Sequence, residues 1–193
     1  MKSNTYIFSI ILILITACNS SHIPKPRGYF RISTPEKDYI DMEKGYPFSF
    51  KYPIYAELNK YQGAQDKDED VSNWLNLDFP ALNAHLYLTF KPVENNLRTL
   101  IEDSHAFVYK HVGKADAIHQ TEFISPETSV YGVLFDIKGN TASSLQFYVT
   151  DSISGFLRGA LYFDCEPSVD SLAPLISFIR TDVEYLMETF SWQ

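Results

Sequence analysis

The sequence predicts an α+β domain, an antiparallel β-sheet with helices packed on its faces, that follows a cleaved N-terminal segment. Three observations support this class. A nearly unbroken apolar run lies near the start of the chain, several later segments carry apolar residues at every second position, and two segments carry them at helical spacing. With 193 residues, 45% of them hydrophobic and 21% charged, the chain has the size and composition of one compact domain.

The first eighteen residues have the layout of a secretory signal. Lys2 gives a positive start and residues 6–17 are almost wholly apolar, a run shorter than the roughly 20 residues that a membrane-spanning helix needs. The segment Ile15-Thr16-Ala17-Cys18 resembles a bacterial lipobox. We therefore predict a lipoprotein signal peptide at residues 1–17, a lipidated N-terminus and short tether at 18–25, and one domain at 26–193. The alternative is an ordinary signal peptide with a chance cysteine.

Lipidation of Cys18 makes a membrane the first predicted partner. Two or three acyl chains, such as palmitate, hold a protein on a bilayer far more firmly than one chain does. Asn19 stands where an aspartate would resemble an inner-membrane retention signal, so we expect the outer membrane. The residues after Cys18 lack the acidic cluster that resembles a surface-export tag, which favours the periplasmic face over the cell surface.

A basic and aromatic strip follows the tether. Alternation over residues 27–32 predicts an extended strand. The strip is a candidate interaction site for lipid phosphates or an acidic partner, since arginine and aromatic side chains dominate many interfaces. The alternative is an edge strand with one aromatic ring packed inward and solvated arginines. Its members are Lys25, Arg27, Tyr29, Phe30 and Arg31.

Alternating apolar residues predict the strands of the sheet. The predicted strands are residues 48–55, interrupted by Pro53, then 84–91, 118–124, 130–137, 145–150 and 156–163. Lys138-Gly139-Asn140 is typical of a hairpin turn, so the later strands are expected to form a meander.

Two helices are expected to cover the sheet. The first follows Asn95 or Asn96, which can cap it, and ends near Gly113. Its apolar positions are Leu97, Leu100, Ile101, Val108 and Val112. The second begins at about Val169 and continues to the C-terminus with an amphipathic stripe. The stripe consists of Leu172, Leu175, Ile176, Ile179, Val183, Leu186 and Phe190. The combined order of elements resembles the Mog1/PsbP-like architecture.

The sequence contains few features that indicate nucleic-acid binding or catalysis. A net charge of −8 without a basic run excludes nucleic acid as a partner, and the common enzyme signatures are absent. We therefore predict no enzymatic activity, no catalytic or cofactor-binding residue and no cofactor. With Cys18 lipidated, Cys165 is the one remaining thiol, which excludes an internal disulfide, and we expect it to be a small buried residue.

Three motifs resemble parts of metal sites, but each is incomplete or has its residues on different sides of a helix, so no metal is predicted. Asp66, Asp68 and Asp70 imitate the start of a calcium loop that lacks its glycine and final glutamate. Glu102 and His105 form half of a di-iron motif and are interpreted as surface polarity. His111 lies six residues beyond His105 and faces another side of the helix.

The opening of the predicted domain resembles a known family. The segments 23–32, with Pro35 and Tyr39 after them, 46–50 and 170–174 are similar to the gliding-motility lipoprotein GldD family of Bacteroidota. The resemblance implies partners in the gliding-motility and type IX secretion machinery. We expect a membrane-anchored, non-catalytic assembly or scaffold component. The alternative is an envelope domain that binds a ligand or has a cryptic enzymatic activity.

Overall fold

The structure, a computed structural model, describes residues 33–62 and 70–193 and shows an α+β domain. Two helices, α1 (Leu97–Tyr109) and α2 (Val169–Glu188), and a 3-10 turn at Pro80–Leu82 accompany the strands. The strands are β1 (Tyr39–Asp41), β2 (Phe48–Ser49), β3 (Lys51–Pro53), β4 (Glu57–Lys60), β5 (Leu75–Phe79), β6 (Ala84–Pro92), β7 (Ala115–Ser125), β8 (Val130–Gly139), β9 (Ser143–Thr150), β10 (Gly155–Phe163) and β11 (Ser191–Trp192).

Seven of these strands form one antiparallel sheet. Its order is β4-β5-β6-β10-β9-β8-β7, while β1 pairs with β3 and β2 with β11 in two small sheets. The hairpin between β8 and β9 depends on Gly139, whose φ is +109° and whose missing Cβ would lie 2.7 Å from the carbonyl oxygen of Lys114. A side chain there would be strained and would clash, so the turn requires glycine.

The inner strand β9, next to the central strand β10, is buried along its whole length because both faces of the sheet are covered there. Its alternate residues point to opposite sides, as strand geometry dictates. Leu145, Phe147 and Val149 join the larger core with α2, whereas Tyr148 joins a smaller core with α1. The two helices therefore lie on opposite faces of the sheet.

The larger core is aromatic and closes around α2. Phe48, Phe50 and Phe190 are each at most 2% exposed, and the ring centroids of Phe48 and Phe190 lie 5.9 Å apart. Ile179 and Val183 of α2 are equally buried. Each fully buried side chain of this size stabilises the fold by about 1.5–3 kcal/mol, so this face supplies most of the hydrophobic stability.

The structure confirms most of the predicted elements. Strand β6 and the strands of the meander, β7 to β10, occur where alternation predicted them, and α2 begins at the expected Val169. The hairpin at Gly139 is also confirmed. Asn96 occupies the N-cap position of α1, although its side-chain oxygen accepts a hydrogen bond from the backbone N–H of Glu94 and does not cap the helix.

Three expectations were wrong, two strands were missed, and one prediction is not tested. Helix α2 ends at Glu188, so Phe190 of its predicted stripe lies beyond the helix. The predicted strand 48–55 is divided into β2 and β3, which pair outside the main sheet with β11 and β1. Helix α1 ends at Tyr109, so Val112 lies beyond it and is 55% exposed. Strands β4 and β5 were not predicted as members of the main sheet. The extended strand expected at residues 27–32 lies outside the described residues.

Candidate functional site

The face of the sheet that carries α1 is covered over only part of its width. Leu100 and Val108 of α1 pack on Phe135, Ile137 and Phe156, which belong to β8 and β10. Further along the sheet, side chains of β5 and β6 on this face stay accessible to solvent, and Tyr87 is 39% exposed. This face therefore has a covered half under α1 and an open half over β5 and β6.

A cavity of about 290 Å³ lies where the two halves meet. Helix α1 contributes Asp103, Ser104 and Phe107 to its lining, together with Leu100. The sheet contributes the other residues, Thr89 and Lys91 from β6 and Phe156 and Arg158 from β10, and Trp74 closes one side. The lining thus combines aromatic rings with two cationic side chains and one carboxylate.

Arg158 is the most unusual residue of this cavity. It stands in the otherwise apolar strand β10, where it pairs with Thr89 on one side and Tyr148 on the other. Its Nη2 donates to Oε1 of Gln146 at 2.6 Å, and its guanidinium carbon lies 4.6 Å from the centre of the Phe107 ring. Burial lowers the pKa of Arg158 from its ordinary value, because a desolvated cation is disfavoured. Within residues 33–62 and 70–193, no carboxylate forms an ion pair with it.

The open half of the face carries a histidine held between two carboxylates. Nδ1 of His85 lies 2.6 Å from Asp78 and Nε2 lies 2.7 Å from Asp164. Burial by itself would lower the pKa of His85, but the hydrogen bonds to Asp78 and Asp164 outweigh it and raise the pKa. Each ring nitrogen lies within hydrogen-bonding distance of a carboxylate oxygen, an arrangement that favours the doubly protonated ring.

Aromatic rings continue this arrangement. The ring of His85 stacks on Tyr87 with centroids 6.1 Å apart, and Tyr87 contacts Tyr162 at 5.6 Å. We call the set Asp78, His85, Tyr87, Tyr162 and Asp164 the Tyr87 face. It is a charged and aromatic surface of the composition found at protein interfaces.

On the opposite face, a buried carboxylate ties α2 to the beginning of the described chain. Asp182 has a side chain that is 1% exposed and accepts hydrogen bonds from Lys37 Nζ at 2.6 Å and from the hydroxyls of Tyr39 at 2.9 Å and Tyr55 at 2.6 Å. Burial first, and then hydrogen bonding to Asp182, raises the pKa of both tyrosines, so they remain neutral donors. Lys37 Nζ also donates to the carbonyl oxygen of Phe178 at 2.9 Å.

The Asp182 network is fully satisfied and therefore has a structural use. A buried charge is tolerated when hydrogen bonds and an opposite charge compensate it, and here three side chains do so. The network attaches residues 37–39 to α2. Each of its four side chains takes part in at least one hydrogen bond within the network.

Comparison with known proteins decides the family. The sequence model described as "Gliding motility lipoprotein GldD" matches residues 19–192. The chain belongs to this family. The resemblance carried by the opening segments is thereby confirmed, and the chain is a gliding-motility lipoprotein, which implies lipid anchoring to a membrane. No curated protein matches the chain closely enough to count as a relative.

The candidate site residues of this GldD-family chain lie in its N-terminal part. Cys18 and the basic and aromatic strip of Lys25, Arg27, Tyr29, Phe30 and Arg31 are outside the described residues, as are Asp66 and Asp68. In the described ranges, no helix has the length and apolarity to cross a membrane.

The expectation about the burial of Cys165 was wrong. It was expected to be buried, but it is exposed because β10 ends at Phe163 and Cys165 lies in the connection to α2. Its neighbour Asp164 already engages His85.

The residues of the metal motifs that were rejected from the sequence make other contacts in the structure. Glu102 accepts a hydrogen bond from Arg98 at 2.7 Å on the helix surface. His105 is half-buried, not a surface residue as interpreted, and packs edge-on against Phe135 with centroids 5.1 Å apart. Asp70 accepts a hydrogen bond from the backbone N–H of Ser72. Among residues 33–62 and 70–193, no cluster of three potential metal ligands occurs.

The sequence interpretation missed Arg158, His85 and Asp182. Arg158 and Asp182 had a local signal, a single charge inside an apolar strand and a single charge inside an apolar helical stripe. The partners of Asp182 had no local signal, because Lys37, Tyr39 and Tyr55 are 127–145 residues away from it along the chain.

Proposed function

We propose that the chain is a lipid-anchored, non-catalytic assembly component of the gliding-motility and type IX secretion machinery that holds a protein of this machinery on the Tyr87 face. The observation that carries the proposal is this face itself. It exposes 39% of Tyr87 beside Tyr162 and a histidine held between two carboxylates.

The composition of the Tyr87 face suits a protein partner. Tyrosine offers a large contact area and a polar hydroxyl at little cost in conformational entropy, and it is enriched at interfaces. The flanking Asp78 and Asp164 give the surface an acidic rim. A partner surface with an aromatic or aliphatic anchor and a basic rim would complement it.

The anchor completes this proposal. The family match begins at Asn19, immediately after Cys18, which supports cleavage and lipidation at that cysteine. We place the lipid in the outer membrane and the domain on its periplasmic side. The basic and aromatic strip would then lie near lipid phosphates, and charge reversal at Arg27 and Arg31 that left gliding and secretion unchanged would exclude a role for it.

The architecture supports the further proposal of a Mog1/PsbP-like fold. The seven-stranded antiparallel sheet with one helix on each face is the feature that supports it. Superposition of an experimental structure on that class, with the order of the central strands compared, is the test. A different strand order would refute the assignment.

Photocrosslinking in living cells tests the docking role. We would place a photoreactive phenylalanine at Tyr87 and, as the matched control, at Ile54, which is 53% exposed and lies after β3. We expect adducts with motility or secretion proteins at Tyr87 and not at Ile54. Identical adducts at both positions, or no motility or secretion protein at Tyr87, would refute docking on this face.

The anchor requires a separate test. Cells that produce the Cys18→Ala chain should lose labelling by radioactive palmitate, and the protein should leave the outer-membrane fraction. The Cys165→Ala chain is the control and should keep both label and location. Labelling that survives Cys18→Ala would contradict lipidation at Cys18.

The alternative function, an envelope ligand-binding domain, is favoured by one specific observation. This observation is the cavity around Arg158. It lies beside the Tyr87 face and is not part of it.

A further inference from the structure

The cavity between α1 and the sheet contains a cation that lacks an anionic partner. Arg158 has five N–H donors, and its side-chain hydrogen bond in the described chain is to Oε1 of Gln146 at 2.6 Å. The chain has 24 acidic residues against 16 basic ones, so carboxylates are abundant elsewhere. Asp103 lines the same cavity without forming an ion pair with Arg158.

The neighbours of Arg158 are consistent with an unneutralised charge. Burial lowers the pKa of His111, and the positive charge of Arg158 lowers it further. Gln146 is 1% exposed, and its Nε2 has no hydrogen-bond partner in the described structure. A desolvated guanidinium without an anionic acceptor is costly, and an acceptor that enters the cavity and reaches Arg158 relieves that cost.

The second half of the site is apolar. Phe107 lies under the guanidinium, Phe156 forms the floor and Trp74 forms a wall. Trp74 is held in place because its Nε1 donates to the carbonyl oxygen of Phe90 at 3.0 Å. The volume of about 290 Å³ is at the lower end of small-molecule sites, which suits one ring or a short aliphatic group.

We propose that this cavity binds a small organic carboxylate, with the carboxylate on the Arg158 guanidinium and the apolar group between Phe107, Phe156 and Trp74. Arginine fits this group because its planar fork matches both carboxylate oxygens. Lys91 is a diagonal neighbour of Arg158 on β6 and also lines the cavity. The same chemistry is offered by a free organic acid and by an acidic side chain of a protein.

Titration followed by nuclear magnetic resonance tests the site on the full domain. The probe is phenylacetate, with phenylacetamide as the uncharged analogue of the same shape. We expect phenylacetate to shift the backbone signals of Thr89, Phe107 and Arg158 and the indole signal of Trp74. Phenylacetamide should bind at least tenfold more weakly, which is about 1.4 kcal/mol.

Two variants and a control locate the charge. Arg158→Met should weaken phenylacetate binding at least tenfold, whereas Arg98→Met, on the exposed surface of α1, should leave it unchanged. If Arg158→Met does not fold, Phe107→Ala serves instead, since Phe107 is 42% exposed and its loss removes the ring that contacts both the guanidinium and the proposed apolar group. Equal binding of acid and amide, or no shift at the lining residues, would overturn the proposal.

A second probe identifies the source of the carboxylate. N-acetylglutamate methylamide represents an acidic side chain of a protein and phenylacetate represents a free acid. The probe with the lower Kd indicates the natural source. Failure of both probes to bind overturns the site and leaves docking on the Tyr87 face unaffected, because crosslinking at Tyr87 does not depend on the cavity.

Discussion

The two faces of the seven-stranded sheet each contain a buried charge, and the two charges differ in their partners. On the α2 face, Asp182 accepts hydrogen bonds from Lys37, Tyr39 and Tyr55. On the α1 face, Arg158 is paired with the neutral Gln146, whose own Nε2 is unsatisfied. The buried charge of the α2 face is therefore compensated by the chain itself, whereas that of the α1 face has no anionic partner in the described chain.

Packing follows the same division. The α2 face contains the stacked rings of Phe48, Phe50 and Phe190, all nearly inaccessible. The α1 face leaves Phe107 at 42% and Tyr87 at 39% exposure. Stability therefore depends mainly on one face, and binding is proposed for the other.

The largest expected effect comes from opening the α2 core. Phe190→Ala removes a ring that is 1% exposed, so the free energy of unfolding should fall by about 3–5 kcal/mol. Phe107→Ala on the α1 face should cost less than about 1 kcal/mol. Urea denaturation followed by circular dichroism measures both. Similar losses for the two variants would remove the proposed division.

The next effect concerns the satisfied charge. Asp182→Ala leaves a lysine and two tyrosine hydroxyls without their acceptor and should cost about 3 kcal/mol, the lower end for a broken buried pair because Lys37 is 28% exposed. Glu188→Ala, an exposed position of the same helix, is the control. A loss no greater than that of Glu188→Ala would show that the network does not hold the segment 37–39.

A smaller effect is the pH dependence caused by His85. Its pKa is raised in the folded state, so its contribution to stability is complete below the unfolded pKa and is lost as the pH rises through the folded pKa. The free energy of unfolding of the native chain should be lower at pH 8.5 than at pH 6. The variant His85→Gln should reduce this difference. If His85→Gln leaves the pH dependence of the free energy of unfolding unchanged, that dependence is caused by other groups.

The smallest effect on stability is expected at Arg158. Arg158→Met removes a desolvated cation and also the partner of Gln146, two changes that offset each other, so the unfolding free energy should stay within about 1 kcal/mol. Thermal and urea unfolding of this variant beside Asp182→Ala sharpens the contrast between the two charges. A loss as large as that of Asp182→Ala would make Arg158 a structural residue.

Local patterns in the sequence predicted the fold well wherever the structure is local. The alternation in β7 to β10 and the turn at Gly139 are properties of neighbouring residues, and so is the stripe of α2. Strand β5 also alternates strictly between apolar and polar residues, so its signal was present although it was not predicted. The alternation over residues 48–55 did not show how β2 pairs, since residues 48–49 pair with 191–192 of β11 across almost the whole chain.

The candidate site was harder to predict for the same physical reason. The contact between Arg158 and Phe107 depends on how α1 lies over β10, and the pair of carboxylates on His85 comes from β5 and from the end of β10. These contacts join residues that no periodic pattern connects. A charge within an apolar strand predicts that something compensates it, but it does not predict which residue does so.

The most direct test of the division between the faces is gliding itself. Cells whose chromosomal copy carries Tyr87→Arg or Ile54→Arg should be compared for colony spreading and type IX secretion at equal protein levels. Arginine at position 87 would lie beside Asp78 and Asp164, so the fold should tolerate it. Loss of spreading and secretion with Tyr87→Arg alone is the predicted result, and normal gliding with both variants would contradict the account.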